Sequence, residues 1–171
     1  MPTTQLARCV VHIDGLETTY LRAGRGSSVV LLVERPNAID EIDGLVVVLS
    51  PHHRLTIPSL GTENRTQCLR TFLDGIGLLN ANLLAMDGWA LPALTFALSE
   101  PDRVDRLAVL QSGQGEPETV VGRIDGVGAT GHPLFVALGG AYNDERSGFH
   151  ISTSMADALI YFFSGVMRGT A

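Results

Sequence analysis

The sequence predicts a three-layer α/β/α sandwich built around a mostly parallel sheet. Residues 83–110 read as a strand, a sharp turn at 86–88, an amphipathic helix and a second apolar strand. Two strands that flank one helix need parallel pairing and a right-handed crossover, which puts helices on the faces of an open sheet. The apolar runs SVVLLV (28–33) and LFVAL (134–138) are typical of strands buried on both faces. At 171 residues the chain is expected to form a single domain, 1–171.

Local patterns predict the elements that precede this unit. Strand-like runs at Arg8–His12 and Glu17–Arg22 surround Asp14-Gly15, two residues that tolerate the positive φ of a tight hairpin turn. A short strand is expected at Arg54–Pro58. An amphipathic helix is expected at 65–76, with Gly77 at its C-terminal cap.

The last helix is predicted near the C-terminus of the sequence. Met155, Leu159, Phe162 and Val166 recur at helical spacing between residues 154 and 168. Ser152 or Ser154 is expected to be the N-cap, because a serine hydroxyl accepts a hydrogen bond from an amide of the first turn.

The turn after residue 86 carries the candidate chemistry, because ligands of open parallel sheets bind outside the carboxyl ends of the strands. Its sequence MDGWALPA, with EPDRVDRLAVL after the helix, resembles the nucleophile-elbow region of the α/β-hydrolase family. Asp87 makes the turn most similar to the epoxide hydrolase and haloalkane dehalogenase branch, whose elbow reads Asp-Trp-Gly. Here Gly88 and Trp89 stand in the opposite order.

The resemblance sets expectations for three further segments. Residues 45–49 (LVVVL) have strand propensity, but the resemblance implies a helix across 37–51. The stretch 111–133, with six glycines, is too short for the family's helical cap, so any pocket would be open or covered by another subunit. The family's last strand is expected to be missing. The run 134–138 would then be a bare edge, which favours a homodimer, as does an apolar content of 45%.

The resemblance also implies the residues of an active site. Asp87 stands at the position of the nucleophile, Asp144 or Glu145 at that of the acid, and His150, before the final helix, at that of the base. Their order along the chain is the family's order, although Asp144 and His150 are six residues apart where the family inserts a helix and a strand. Substrate contacts are expected from three residues: Glu34, Met86 and Trp89. Of these, Glu34 replaces the glycine of the family's His-Gly-x-Pro motif.

Each of these residues has a simpler structural interpretation. In this interpretation Asp87 merely caps the helix that follows it, and Trp89 merely packs beside that helix. Asp144, Glu145 and His150 could be solvated turn residues. His52 and His53 have no carboxylate or thiol at a suitable spacing, so no metal is predicted. No glycine-rich segment has the dinucleotide fingerprint, and no cofactor is expected.

Composition excludes several classes of function. A net charge of −6 disfavours nucleic acid and anionic membranes as partners. The sequence contains no lysine, which excludes Schiff-base chemistry and a phosphate-loop lysine. Cys9 and Cys68 are isolated and are expected to be buried free thiols in a reducing cytoplasm. No signal peptide or membrane span is recognised, so a cytoplasmic location is predicted.

Two functions remain open. The first is an α/β-hydrolase-like enzyme in which Asp87 and His150 act on a small apolar molecule, by epoxide or ester hydrolysis or an acid/base rearrangement. The second is a catalytically inactive relative that binds a small molecule or a partner protein. A short distance between the Asp87 carboxylate and the His150 imidazole would favour the enzyme.

Overall fold

The computed structural model describes residues 5–36, 39–111, 118–124, 132–138, 141–144 and 148–165, and from 118 to 150 it gives the course of the backbone. The strands are β1 (Ala7–Ile13), β2 (Leu16–Ala23), β3 (Ser27–Leu32), β4 (His53–Pro58), β5 (Ala81–Met86), β6 (Val104–Gln111), β7 (Glu118–Ile124), β8 (His132–Leu138), β9 (Ala141–Asp144) and β10 (Gly148–Ile151). The α-helices are α1 (Ile39–Leu49), α2 (Arg65–Gly75), α3 (Ala90–Ser99) and α4 (Thr153–Phe163).

Eight strands form one sheet in the order β1-β2-β4-β3-β5-β6-β8-β7. The five inner strands from β4 to β8 are parallel, whereas β1, β2 and β7 run antiparallel to their neighbours at the two sides. Strands β9 and β10 pair with each other as a separate antiparallel sheet. The predicted fold class is confirmed: helices cover both faces of a mostly parallel sheet.

Two apolar layers hold the helices on the sheet. On one face, Leu31, Leu84 and Ala108 of the inner strands pack against α1 and α4. On the other face, the alternate residues of the same strands pack against α2 and α3: Val30, Leu32, Leu83 and Ala85. Because side chains alternate along a strand, continuous apolar runs are required to fill both layers.

Helix α1 settles the two interpretations of residues 37–51 in favour of the helix. Ile42, Leu45, Val46 and Leu49 are buried, while Val47 is 52% exposed. Burial at positions i, i+3, i+4 and i+7 follows the helical period and not the alternation of a strand. Strand propensity at LVVVL is therefore overridden by packing on the sheet.

Local turn chemistry also agrees with the sequence. Asp14 and Gly15 both have positive φ, 51° and 79°, at the two-residue turn between β1 and β2. After α2, Gly77 has φ +74°, the Leu78 amide donates to the Leu73 carbonyl at 2.9 Å and the Gly77 amide donates to the Asp74 carbonyl at 3.1 Å. These two bonds form a Schellman cap. The N-cap of α4 is Ser152, whose hydroxyl accepts from the Met155 amide.

The expectation of a bare strand at 134–138 is wrong. Strand β8 is flanked by β6 on one side and by β7 on the other, with Val120 opposite Val136 in the antiparallel register. The chain between β6 and β8 therefore returns as a strand that covers this edge. The edge-pairing argument for a homodimer does not apply to β8, and the dimer stays a prediction.

The expectation that both cysteines are buried is also wrong. Cys9 and Cys68 are free thiols, and each is partly exposed. Cys9 lies on the edge strand β1, and Cys68 lies on the first turns of α2, where its thiol faces the Glu63 carbonyl. In the described part of the chain, no helix combines the length and the apolar character needed to cross a membrane.

Candidate functional site

The segment between β5 and α3 is a tight turn with an unusual backbone. All six residues of β5 are buried, so the strand ends at Met86, inside the protein. Residues Asp87–Trp89 then form one 3-10 turn that leads directly into α3. Asp87 has φ +46°, in the left-handed region, and it is exposed. Asp14 and Asn64 adopt the same region, which aspartate and asparagine tolerate better than most residues, so what distinguishes Asp87 is its position between a buried strand and a helix.

Asp87 does not occupy the position that a simple helix cap requires. The N-cap of the 3-10 turn is Met86 and that of α3 is Trp89, and neither side chain makes a capping hydrogen bond. Asp87 lies in the first turn, where a carboxylate interacts favourably with the partial positive charge of the helix N-terminus. The turn therefore presents a carboxylate at the carboxyl edge of the sheet.

A charged cluster lies directly against this turn. Arg65, the first residue of α2, donates a 2.6 Å hydrogen bond from Nη1 to the Gly88 carbonyl and lies 3.2 Å from Glu34 through Nη2. Its guanidinium carbon lies 5.0 Å from the centre of the Trp89 ring. The segments that follow β3 and β4 are thus joined to the segment that follows β5. Parallel strands bring their carboxyl ends to one edge, which is why three distant segments meet here.

At position 88, only glycine fits beside this cluster without displacing the Glu34 and Arg65 side chains. A Cβ atom built on Gly88 would lie 2.0 Å from Glu34 Oε1 and 3.0 Å from Arg65 Nη1. The family's order, with tryptophan directly after the aspartate, would therefore require the Glu34 carboxylate to move from its present position. The reversed order Gly88-Trp89 matches the glutamate that replaces the family's glycine.

The three predicted substrate-contact residues have different environments. Glu34 is accessible, with 54% of its side chain exposed, although it is paired with Arg65. Met86 is 6% exposed and packs on the layer that contains α1 and α4. Trp89 is 3% exposed and packs on the opposite layer, beneath the Arg65 guanidinium.

The predicted acid and base lie on the separate β9–β10 hairpin. Its register pairs Asp144 with Gly148 and Tyr142 with His150. Strand β10 packs beside α1 and ends immediately before α4. Glu145, the alternative acid, lies outside the described residues.

Arg65 is not among the site residues predicted from the sequence, in which it is only part of a predicted helix. A signal was present, because a cation at the first position of a helix is opposed by the helix dipole and implies a tertiary partner. The partner could not be named, since Glu34 is 31 residues away along the chain.

The described side chains contain no group of three or more potential metal ligands. His52 and His53 lie with ring centres 6.5 Å apart at the start of β4, at the amino edge of the sheet. They are thus at the end of the strand opposite to the Asp87 turn.

The strand order, the antiparallel β2 beside β4 and the strand-turn-helix at Asp87 define an α/β-hydrolase fold. No protein-family model and no curated protein sequence matches the chain. Three similar solved structures are epoxide hydrolase A from Mycobacterium thermoresistibile (23% identity, TM-score 0.52, covering 62% of this chain and 39% of that one), epoxide hydrolase VrEH1 from Vigna radiata (18%, 0.53, 61% and 39%) and epoxide hydrolase CorEH (22%, 0.54, 63% and 43%). At these identities the likeness shows the fold, and the chain spans about two fifths of the length of those proteins.

Proposed function

We propose that the chain is a hydrolase that opens epoxides of small apolar molecules, with Asp87 as the nucleophile and His150 as the base. Asp144 or Glu145 is the acid that orients His150. The observation that carries the proposal is the backbone of Asp87, a non-glycine residue at φ +46° on a turn between a buried strand and a helix. This is the backbone expected of a nucleophile elbow.

The proposed reaction has two steps. A carboxylate oxygen of Asp87 attacks an epoxide carbon, the C–O bond of the ring breaks, and the alkoxide takes a proton from water. His150 then removes a proton from a second water molecule, which attacks the carbonyl carbon of the Asp87 ester. The diol leaves, and the proton on His150 returns to solvent, so that epoxide and water give diol.

The backbone of the β9–β10 hairpin supports these roles. Because Asp144 pairs with Gly148 and His150 pairs with Tyr142, positions 144 and 150 are two rungs apart on neighbouring strands. Positions in that diagonal relation are about 7 Å apart, close enough for an acid and a histidine to interact. The six-residue spacing is therefore compatible with an acid-base pair.

The test is a single turnover in ¹⁸O-labelled water with the protein in excess over styrene oxide. Since the chain has no lysine, trypsin releases Asp87 in the peptide 71–103. The ester mechanism transfers labelled oxygen into the Asp87 carboxylate, whereas direct attack of water labels only the diol. We expect Asp87→Asn to abolish labelling and to lower kcat by about 10³-fold or more.

Two further variants complete the test. We expect His150→Ala to lower kcat by about 100-fold while esterified Asp87 accumulates. Asp102→Asn is the matched control, because Asp102 is an exposed aspartate in the same peptide and lies on the 3-10 turn before β6. Equal activity of the wild type, Asp87→Asn and His150→Ala would refute the mechanism.

One observation favours the alternative of an inactive binding protein. Glu34 presents a carboxylate against the Gly88 backbone, where an anion that develops on a substrate would be repelled. An inactive protein would leave both styrene oxide and p-nitrophenyl acetate unchanged, yet either compound would alter the fluorescence of Trp89 on titration.

A further inference from the structure

Arg65 makes three contacts that converge on the turn after β5. Its fork donates to the Gly88 carbonyl, pairs with Glu34 and lies over the Trp89 ring. Only 17% of the Arg65 side chain is exposed. A guanidinium that is largely shielded from water and bound at two nitrogens is held in one orientation.

The bond to Gly88 has a geometric consequence for the turn. The Gly88 carbonyl and the Trp89 amide belong to one planar peptide group and point in opposite directions. Arg65 therefore fixes the direction of the Trp89 N–H while it binds the carbonyl. This amide is in the first turn of the helical segment, where backbone donors have no partner within the helix.

We propose that Arg65 is a positioning residue, which sets the plane of the Gly88–Trp89 peptide in the turn that carries Asp87, and that Glu34 orients Arg65. The effect of Arg65 on catalysis rests on the proposed function, whereas the effect of Arg65 on the turn does not. Neither residue contacts the reacting atoms in this role. Glu34 acts through Arg65, and Arg65 acts through the Gly88 peptide.

The arrangement requires arginine and not merely a positive charge. A lysine ammonium is a point donor on a flexible stem, and it lacks the planar fork that spans a carbonyl, a carboxylate and an aromatic face together. We therefore expect Arg65→Lys to behave like Arg65→Gln. Glu34→Gln keeps an acceptor for the guanidinium and should have the smaller effect.

The experiment uses Trp89 as a reporter, since it is the only tryptophan of the chain. Removing the guanidinium opens one face of a ring that is 3% exposed. We expect Arg65→Gln and Arg65→Lys to shift the Trp89 emission to longer wavelength and to increase its quenching by acrylamide. Hydrogen exchange of the segment around 86–92 should become faster by about 10-fold or more.

Arg70→Gln is the matched control. Arg70 lies on the same helix and forms an ion pair with Glu100, away from Trp89. The Arg70→Gln substitution should leave the Trp89 emission, its quenching by acrylamide and the hydrogen exchange of residues 86–92 unchanged. Far-UV circular dichroism would verify that all variants are folded.

Activity supplies a separate readout. If the wild type hydrolyses styrene oxide, Arg65→Lys and Arg65→Gln should lower kcat by about 100-fold with little change in KM, as expected for a misaligned site. If the wild type is inactive, the proposed function fails but the emission and exchange still test the role of Arg65. Wild-type emission and exchange in folded Arg65→Gln would overturn the inference, whatever the activity.

Discussion

The hydroxyl of Ser27 lies 2.9 Å from Nδ1 of His53, across the amino ends of two parallel strands. His53 is 2% exposed, and the Phe163 ring of α4 meets it edge-on at 6.0 Å. Among the described residues, Nε2 has no hydrogen-bond partner. Burial lowers the pKa of His53 below its ordinary value of 6.5. The backbone carbonyl of Ile160, although outside hydrogen-bond geometry, opposes this shift, and the nearby His52 lowers the pKa further.

The protein is therefore expected to lose stability as the pH falls below 6.5. The unfolded chain binds the proton of His53 more tightly than the folded protein does, so unfolding takes up a proton between the lowered pKa and 6.5. The free energy of unfolding should rise with pH through that window. Above pH 6.5, His53 should add no further pH dependence. Urea unfolding at pH 5.0 to 8.0 measures the slope.

Two variants assign this slope to one residue. His53→Gln has no titrating ring and should flatten the pH dependence below 6.5, whereas the exposed His52→Gln should keep most of it. An unchanged slope in His53→Gln would contradict the prediction.

Gly24→Ala is expected to be far more damaging than Gly15→Ala, although both glycines have positive φ. A Cβ on Gly24 would lie 2.2 Å from the His53 carbonyl oxygen and 2.3 Å from that of Ser50, while Gly15 has open space around it. We expect a loss of about 1 kcal/mol for Gly15→Ala and of more than about 3 kcal/mol for Gly24→Ala. Equal losses in denaturant unfolding would show that backbone strain alone matters at Gly24.

Asp87→Gly is expected to be more stable than Asp87→Ala by about 1 kcal/mol, because only glycine adopts a left-handed backbone without strain. At the exposed Asp43 within α1 the order should reverse, with glycine about 1 kcal/mol less stable than alanine. Comparing two substitutions at each site removes the contribution of the carboxylate. The same order at both sites would argue against a strained turn.

A homodimer is predicted from the apolar content of the sequence. Leu91 and Leu98, seven residues apart on α3, are 72% and 51% exposed and contribute to that apolar surface. Light scattering at micromolar concentration should give twice the chain mass of 18.2 kDa. A monomeric mass would remove this expectation.

The central unit could be predicted because its signals are local. The apolar run of β5, the helical spacing in α3 and the Pro-Asp corner before β6 lie within 30 residues of one another. The position of Asp87 on the turn follows from those three elements. The hairpin at Asp14-Gly15 and the cap at Gly77 were equally predictable from the sequence, since each depends on a few neighbouring residues that tolerate a positive φ.

What could not be predicted depends on distant partners. Strand β7 (ETVVGRI) lies in a glycine-rich stretch, has only a short apolar run, and is defined by its pairing with β8. The Arg65 cluster needed the folded sheet to bring three segments together. The resemblance identified Glu34 as unusual, but only the structure gave it a partner, Arg65, and placed it against the glycine after Asp87.

The final helix has a consequence for how the chain reaches its folded state during synthesis. Helix α4 supplies Met155, Leu159, Phe162 and Phe163 to the layer that covers Leu31, Leu84 and Ala108. Until the ribosome has released residue 163, that side of the sheet has only α1 over it. Nascent chains should therefore require protection from aggregation until residues 153–163 have left the ribosome, and a stop codon placed before Thr153 should yield insoluble product.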